Sequence, residues 1–334
     1  DDRVRVANSD YRIEIDDNKL NVHKAIKKTE NHPLVIKLQE QQHSGLILFS
    51  SGSTGAPKAM IHNLDNLVDS YKGKRGKNKS RKQSVFLIFL MFDHIGGLNS
   101  LLNCLSMGVT MVFPEHREPE HVAELIEKYK VNILPASPTF LNLVLISEAN
   151  LRYNMSSLRM ITYGTEPMPD SLLLKLKTFF PRVKFLQTFG TSETGISQTT
   201  SKSSDSTFLK IDDPNTEIKI VRGELWIRSK TQVMGYLNSS MERFTEDGWF
   251  KTGDLVEEAS DGYIKIVGRS KELINVGGEK VLPSEVESVL FQMPNLVDCI
   301  VYGEKNFITG MMVVAKVLFK EPLKLSEAKR QIVH

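Results

Sequence analysis

An α/β fold is what this 334-residue sequence predicts: a large lobe of parallel sheet flanked by helices, a β-rich subdomain, and a small mobile α+β lobe. Three observations predict it. Between residues 85 and 187, short apolar runs alternate with amphipathic segments, as in strands joined by crossover helices. From residue 217 single apolar residues alternate with polar ones, as in antiparallel strands with one buried face. From about residue 271, a glycine turn, a proline-led helix pattern and two strand patterns make a compact unit.

Composition bounds the function. Hydrophobic residues make up 40% and charged residues 25%, ordinary for a soluble globular chain long enough for two domains. A formal charge of +3 is too mild to argue for nucleic acid. Cys104 and Cys299 lie far apart in apolar surroundings and read as reduced thiols of a cytosolic protein, with a single disulfide as the alternative. No apolar run reaches spanning length, and the opening DDRVRV has no signal-peptide pattern. The expectation is a cytoplasmic chain with no integral membrane segment. Its first residue is not Met.

In chain order, residues 11–15 alternate like a strand, 22–26 read as a helix start, and 34–38, after Pro33, read as a strand. Leu46, Ile47, Leu48 and Phe49 form a buried-strand pattern that breaks into Ser50, Ser51, Gly52, Ser53, Thr54 and Gly55, then Pro57 and Lys58. Glycines let backbone N–H groups approach an anion, hydroxyls add donors and Lys58 adds charge, so the loop suits phosphate. The Walker order is absent. Met60, Leu64, Leu67, Val68 and Tyr71 then fall at helical spacing. Residues 72–82 carry seven Lys or Arg and no acid, read as a solvated loop or a landing patch for an anionic partner. Strands are expected at 85–90, 109–113, 131–134, 158–162 and 183–186. Val122, Leu125, Ile126 and Tyr129 mark one helix face between them. Ligands on such sheets bind beyond the carboxyl ends of strands, where segments 50–58, 163–168 and 188–195 are all expected. Residues 217–229 predict a hairpin turning at Arg222 and Gly223, which with 262–267 belongs to antiparallel sheet or a small barrel. A turn at Gly277 and Gly278, a helix over 283–292 and strands over 297–302 and 311–318 complete the chain. Met91, Met107, Met155 and Met168 are candidates for an apolar pocket or for core filler.

Six ordered motifs resemble those of the adenylate-forming superfamily, which comprises acyl-CoA synthetases, peptide-synthetase adenylation domains and luciferases. They are SSGSTGAPKA (50–59), FDHIGG (92–97), YGTEPM (163–168), FGTSETG (189–195), WFKTGDL (249–255) and GRSKELINVGGEKVLPSEVE (268–287). The resemblance implies ATP-dependent activation of a carboxylic acid as acyl-adenylate with pyrophosphate release. The acyl group then passes to a thiol, either CoA or the phosphopantetheine arm of an acyl carrier protein. By this resemblance Ser51, Gly52, Ser53, Thr54, Gly55 and Lys58 hold the β- and γ-phosphates, and Glu193 carries Mg²⁺ with Ser192 beside the α-phosphate. Gly164, Thr165 and Glu166 lie along the adenine, Phe189 stacks on it where the family commonly has Tyr, and Gly190 and Thr191 complete that segment. Asp254 accepts from the ribose hydroxyls and Arg269 reaches ribose or phosphate. His94 lines the acyl pocket, although Asp93 leaves an amino-acid-adenylating reading open. Lys271 is the hinge between a core of residues 1–270 and a lobe of residues 271–334, and Gly277 and Gly278 flank the thiol channel. Fatty acid metabolism is the expected setting.

Two departures from the family stand out. Its members carry well over a hundred residues before the phosphate loop, so the amino-terminal subdomain is expected to be shortened. The adenylation Lys of the carboxyl-terminal Pro-Lys-Thr…Gly-Lys segment is not found, since Lys324 and Lys329 lack that pattern. Weak adenylate formation with retained adenylate binding is the corresponding expectation, and a non-catalytic nucleotide-binding module is the alternative.

Overall fold

The computed structural model describes residues 2–16, 19–24, 30–50, 57–71, 84–293 and 295–321, together with 323, 326–327 and 330. The basic run at 72–82 therefore lies outside the described residues. Five parallel strands stand in the spatial order Thr110–Val112, Val85–Leu87, Ile133–Ala136, Met160–Tyr163, Lys184–Gln187. Each falls within or beside a strand expected from its apolar run. Helices Pro119–Tyr129, Pro138–Ile146 and Asp170–Phe179 cover one face, where Val122, Ile126, Leu141, Val144, Leu173 and Leu176 meet Leu134, Ile161 and Phe185. Helix Ile95–Met107 lies on the other face, against Phe86 and Ile88. Beside it, Phe86, Ile133, Pro135, Met160 and Leu186, with Thr188, line a crevice of 620 Å³.

The antiparallel part is an open six-stranded sheet rather than a closed barrel. Its order is Thr199–Ser201, Leu209–Ile211, Ile264–Arg269, Phe250–Glu258, Glu224–Ser229, Thr216–Val221. Arg222 and Gly223, at φ 53° and 79°, make the two-residue turn that right-twisted hairpins favour. Beyond the 3-10 turn Ser270–Glu272, a four-stranded sheet and helix Pro283–Leu290 enclose their own core around Ile274, Leu290, Leu296 and Val301. A crevice of 430 Å³ separates this unit from the larger body. Glu166, Asp170 and Glu257 line one side of it, and Glu285, Glu287 and Asp298 the other.

Several local expectations are corrected. Of the helix start expected at 22–26, residues 22–24 instead end a strand, Lys19–Lys24, paired with Tyr11–Asp16 so that Ile13 meets Val22 and Ile15 meets Leu20, and residues 25–26 lie outside the described residues. Cross-strand apolar pairing decides there, with a period of two. Residues 33–40 are the helix Pro33–Glu40 rather than a strand. Pro33 fits its first turn, and His32 Nδ1 accepts from Leu34 N at 3.2 Å. Met60 sits in strand Lys58–Asn63, and the helix begins only at Leu64–Asp69, where the Asn63 side chain accepts from Asn66 N. The strands on either side of the segment 51–56 thus pair antiparallel, Ser50 opposite Lys58, in a sheet separate from the parallel one.

His62, in that second strand, has no exposed surface, and among the described residues neither ring nitrogen has a hydrogen-bond partner. Burial pushes the imidazole down to about 4, against nearby backbone groups of Thr231 and Ser192 that favour the protonated ring. A depressed histidine contributes stability that is complete above its ordinary value of 6.5 and lost as pH falls through 4. Denaturant unfolding of the wild type is expected to lose about 3 kcal/mol between neutral pH and pH 4 that His62→Phe does not lose. Equal pH slopes for the two proteins would remove His62 as the cause.

Candidate active site

Strands Phe189–Thr191 and Gly195–Ser197 pair antiparallel and present Ser192, Glu193 and Thr194 at the tip of their hairpin. The tip is braced from within and from outside. Thr194 N donates to Thr191 Oγ1 at 3.1 Å, and the Thr231 hydroxyl donates to the Thr194 carbonyl at 2.9 Å. The strands approach so closely that a Cβ on Gly190 would stand 2.3 Å from the Gly195 carbonyl oxygen, so no side chain fits. The Phe189 ring packs half-buried against the Leu209–Leu225–Ile264 core.

Ser51, Gly52, Ser53, Thr54 and Gly55 lie outside the described residues, but both flanks of their loop are placed. Segment 233–238 ties them to the Glu193 turn. Val233 N donates to Glu193 O at 2.7 Å, Met234 N to Ile61 O at 2.8 Å and Leu237 N to Ala59 O at 2.9 Å. Asn238 accepts from Ala59 N at 2.8 Å and donates to Pro57 O at 2.9 Å, fixing the base of the loop. Between these contacts the Tyr236 hydroxyl donates to Glu193 Oε1 at 2.9 Å, and Lys58 Nζ stands 5.4 Å from the Tyr236 ring centre. Burial, with the Glu193 charge behind it, raises the Tyr236 pKa, so the phenol stays protonated and keeps donating.

Asp254 and Arg269 face each other across adjacent strands, and Arg269 Nε lies 3.0 Å from Asp254 Oδ1. Asp254 is 4% exposed. Burial raises its carboxyl pKa, and Arg269 and Arg243 pull it back down. Arg243 joins this pair to the Glu193 turn. Its Nε and Nη2 donate to the Lys251 carbonyl, Nη2 also reaches the Thr252 carbonyl, and Nη1 stands 3.7 Å from Glu193 Oε1. A line of neighbouring groups therefore runs from Lys58 through Tyr236 and Glu193 to Arg243, which is anchored on the carbonyls of Lys251 and Thr252, on the same strand as Asp254 of the Asp254–Arg269 pair.

Gly164, Thr165 and Glu166 follow strand Met160–Tyr163, and a Cβ on Gly164 would stand 2.6 Å from Thr188 Oγ1, so this loop touches the segment leading to Phe189. Thr165 holds φ 74°, a costly conformation for a β-branched residue and one that clusters at functional sites. The Glu166 carboxylate accepts from Thr139 N at 2.6 Å, turned toward the crevice between the two bodies. His94 is apart from this line: it caps helix Ile95–Met107, exposed, 3.8 Å from the Asp93 carboxylate. Met107 lines the 620 Å³ crevice, Met155 and Met168 are core, and Met91 is exposed. Lys271 is exposed in the turn Ser270–Glu272. Gly277 and Gly278, at φ 61° and 102°, turn a hairpin whose Gly277 N donates to Thr309 O. Cys104 and Cys299 are free thiols.

Tyr236, Asn238, Arg243 and His62 were not legible as site residues. Tyr236 and Asn238 sit in a short apolar stretch with no catalytic spacing, and Arg243 stands among ordinary charged residues. Their roles depend on partners more than 40 residues away in sequence, except for the carbonyls that anchor Arg243.

Removing Arg269 alone would leave a buried carboxylate without its partner. Arg269→Met is expected to cost about 3 kcal/mol near neutral pH. The cost should shrink as pH falls, because the raised Asp254 carboxyl then takes up a proton, and it should be smaller in Arg269→Met combined with Asp254→Asn. Urea unfolding at two pH values checks this; a cost independent of both pH and Asp254 contradicts it.

The AMP-binding enzyme family model matches residues 5–237. 4-Coumarate-CoA ligase 1 of Narcissus pseudonarcissus is 33% identical over 306 residues, covering 84% of this chain and 56% of that protein. An o-succinylbenzoate CoA synthetase from Bacillus subtilis, solved with its acyl-adenylate intermediate, is 27% identical with a TM-score of 0.70, covering 85% of this chain and 61% of that one. MatB from Rhodopseudomonas palustris, solved with ATP bound, has a TM-score of 0.74 at 23% identity, covering 86% and 60%, a likeness of fold alone. This chain spans about half the length of the curated relatives it matches. The matched span takes in both strands of the loop hairpin, the Glu193 turn and Tyr236, and on that match the chain belongs to the AMP-binding enzyme family.

Proposed function

We propose that this chain carries the adenylating site of an AMP-forming acid–thiol ligase. A carboxylate oxygen attacks the α-phosphorus of ATP, the bond to the bridging oxygen breaks, and pyrophosphate leaves with the electron pair. No proton need move in that step. The resulting acyl-adenylate then passes its acyl group to the thiol of CoA or of a phosphopantetheine arm on a carrier protein. The observation that supports this reading most is the line from Lys58 to Arg269, which gathers cations, a carboxylate for a metal and a carboxylate for ribose along one edge.

In this reading Lys58 and the loop 51–55 bind the β- and γ-phosphates, Ser192 lies near the α-phosphate, and Asp254 accepts from the ribose hydroxyls. Gly164, Thr165, Glu166, Phe189, Gly190 and Thr191 border the base. Among the described residues no group of three His, Cys, Asp or Glu could hold a metal. A lone carboxylate fits Mg²⁺ all the same, because that ion keeps its waters and takes substrate phosphates as ligands. Glu193 would hold it, and when bound the ion supplies neutralisation of phosphate charge. Tyr236 orients the Glu193 carboxylate. The crevice lined by Phe86, Ile133, Pro135, Met160 and Leu186, with Thr188, would take the apolar body of the acid. An aryl or arylalkenoic acid is favoured over a fatty acid, on the names of the ligases to which the chain is similar. The lobe boundary falls at 270/271, with Lys271 as hinge and Gly277 and Gly278 beside the thiol path.

Pyrophosphate release with Mg·ATP, measured on the full-length protein across aryl, fatty and amino acids, tests this. Release is expected with aryl acids, and Glu193→Ala should slow it about a hundredfold. Release that ignores the acid supplied, or that survives Glu193→Ala, would contradict the proposal.

A further inference from the structure

We propose that Arg243 is a catalytic residue that grips the α-phosphoryl group of the nucleotide; this rests on the reading above. The guanidinium is built in place rather than left as a surface charge. Three of its N–H contacts go to backbone carbonyls, from Nε and Nη2 to Lys251 and from Nη2 to Thr252, and its carbon lies 4.5 Å from the Phe250 ring centre. The backbone is tied back to it as well, since Lys251 N donates to Arg243 O at 2.8 Å. Among the described residues that leaves Nη1 without a hydrogen bond. It points toward Glu193 but stops 3.7 Å from Oε1, beyond hydrogen-bond length, and Oε1 already accepts from Tyr236. The side chain is 41% exposed, so an incoming anion can reach it.

Charge and order along the line identify the anion. Along this line Lys58, Arg243 and Arg269 stand with the carboxylates of Glu193 and Asp254; Asp254 is committed to Arg269 at 3.0 Å, and the nearby Glu224 carboxylate is committed to Gly253 N at 2.8 Å. The surplus positive charge lies at Arg243. The polyphosphate end of the nucleotide belongs to Lys58 and the loop, the ribose end to Asp254, and Arg243 stands between them. The group between ribose and pyrophosphate is the α-phosphoryl. With Nε and Nη2 held by carbonyls, the Nη1 N–H groups can donate to a phosphoryl oxygen, and the anchored guanidinium holds its charge in a fixed place where a lysine ammonium would swing on a flexible stem. As the carboxylate oxygen bonds to phosphorus and pyrophosphate departs, charge builds on the phosphoryl oxygens, and a fixed guanidinium stabilises it without reorganising.

The test is equilibrium binding of adenosine, AMP and Mg·ATP to the full-length protein and to Arg243→Met and Arg243→Gln. The glutamine amide can still donate to the Lys251 or Thr252 carbonyl, which keeps the anchor without the charge. Both variants are expected to bind adenosine as the wild type does and to lose about tenfold or more in affinity for AMP and Mg·ATP. Parallel loss for adenosine and AMP would make Arg243 a structural residue and overturn the assignment, as would unchanged AMP binding in Arg243→Gln. A wild-type protein that binds none of the three nucleotides would instead sink the ligase reading, and this assignment with it.

Discussion

The hydrogen bonds made by residues 233–238 hold the site together. Two pieces of chain far apart in sequence, the loop hairpin 45–63 and the turn at Glu193, share an apolar cluster around Leu48, Met60 and Ile196 and are tied together by Val233, Met234, Tyr236, Leu237 and Asn238. Backbone bonds set the spacing to within a few tenths of an ångström, and the Tyr236 hydroxyl then aims the Glu193 carboxylate. Lys58 and the Glu193 turn belong to separate sheets, and segment 233–238 is what bonds to both. Side chains on strand ends braced by backbone bonds are held in place before any ligand binds, so less orientational freedom is left to lose.

Electrostatics follow from this placement. Glu193 and Asp254 are nearly buried, and each would be costly alone; the surrounding arginines, the Tyr236 phenol and the Thr252 hydroxyl make the burial tolerable. Lys58, Arg243 and Arg269 share this edge with the two carboxylates. The same burial has a cost at His62, which lies directly behind the turn with both ring nitrogens unpartnered among the described residues.

The five parallel strands could be read from sequence because each is a short apolar run bounded by polar residues, and the burial of alternate residues is visible in one dimension. Arg222 and Gly223, and Gly277 and Gly278, announce their turns by residue type. Errors arose where tertiary partners decide. Residues 19–24 become a strand only because 11–16 pairs with them, and Met60 lies in a strand only because the loop folds back on 45–50 and is held by 235–236. Glu193, Asp254 and Arg269 were legible through motif resemblance, not through local chemistry, since an isolated Glu in a turn is usually solvated. Tyr236 and Arg243 carry no such motif, and only the folded chain shows what they touch.

Amide hydrogen exchange of the nucleotide-free, full-length protein tests the preassembled site most directly. If 233–238 clamps the site, the amides of Ala59, Met234 and Leu237 should exchange only through global unfolding, at the rate of the buried parallel strands. Fast local exchange at these three amides, with the parallel strands still protected, would mean that the loop hairpin and the Glu193 turn come together only when a ligand binds.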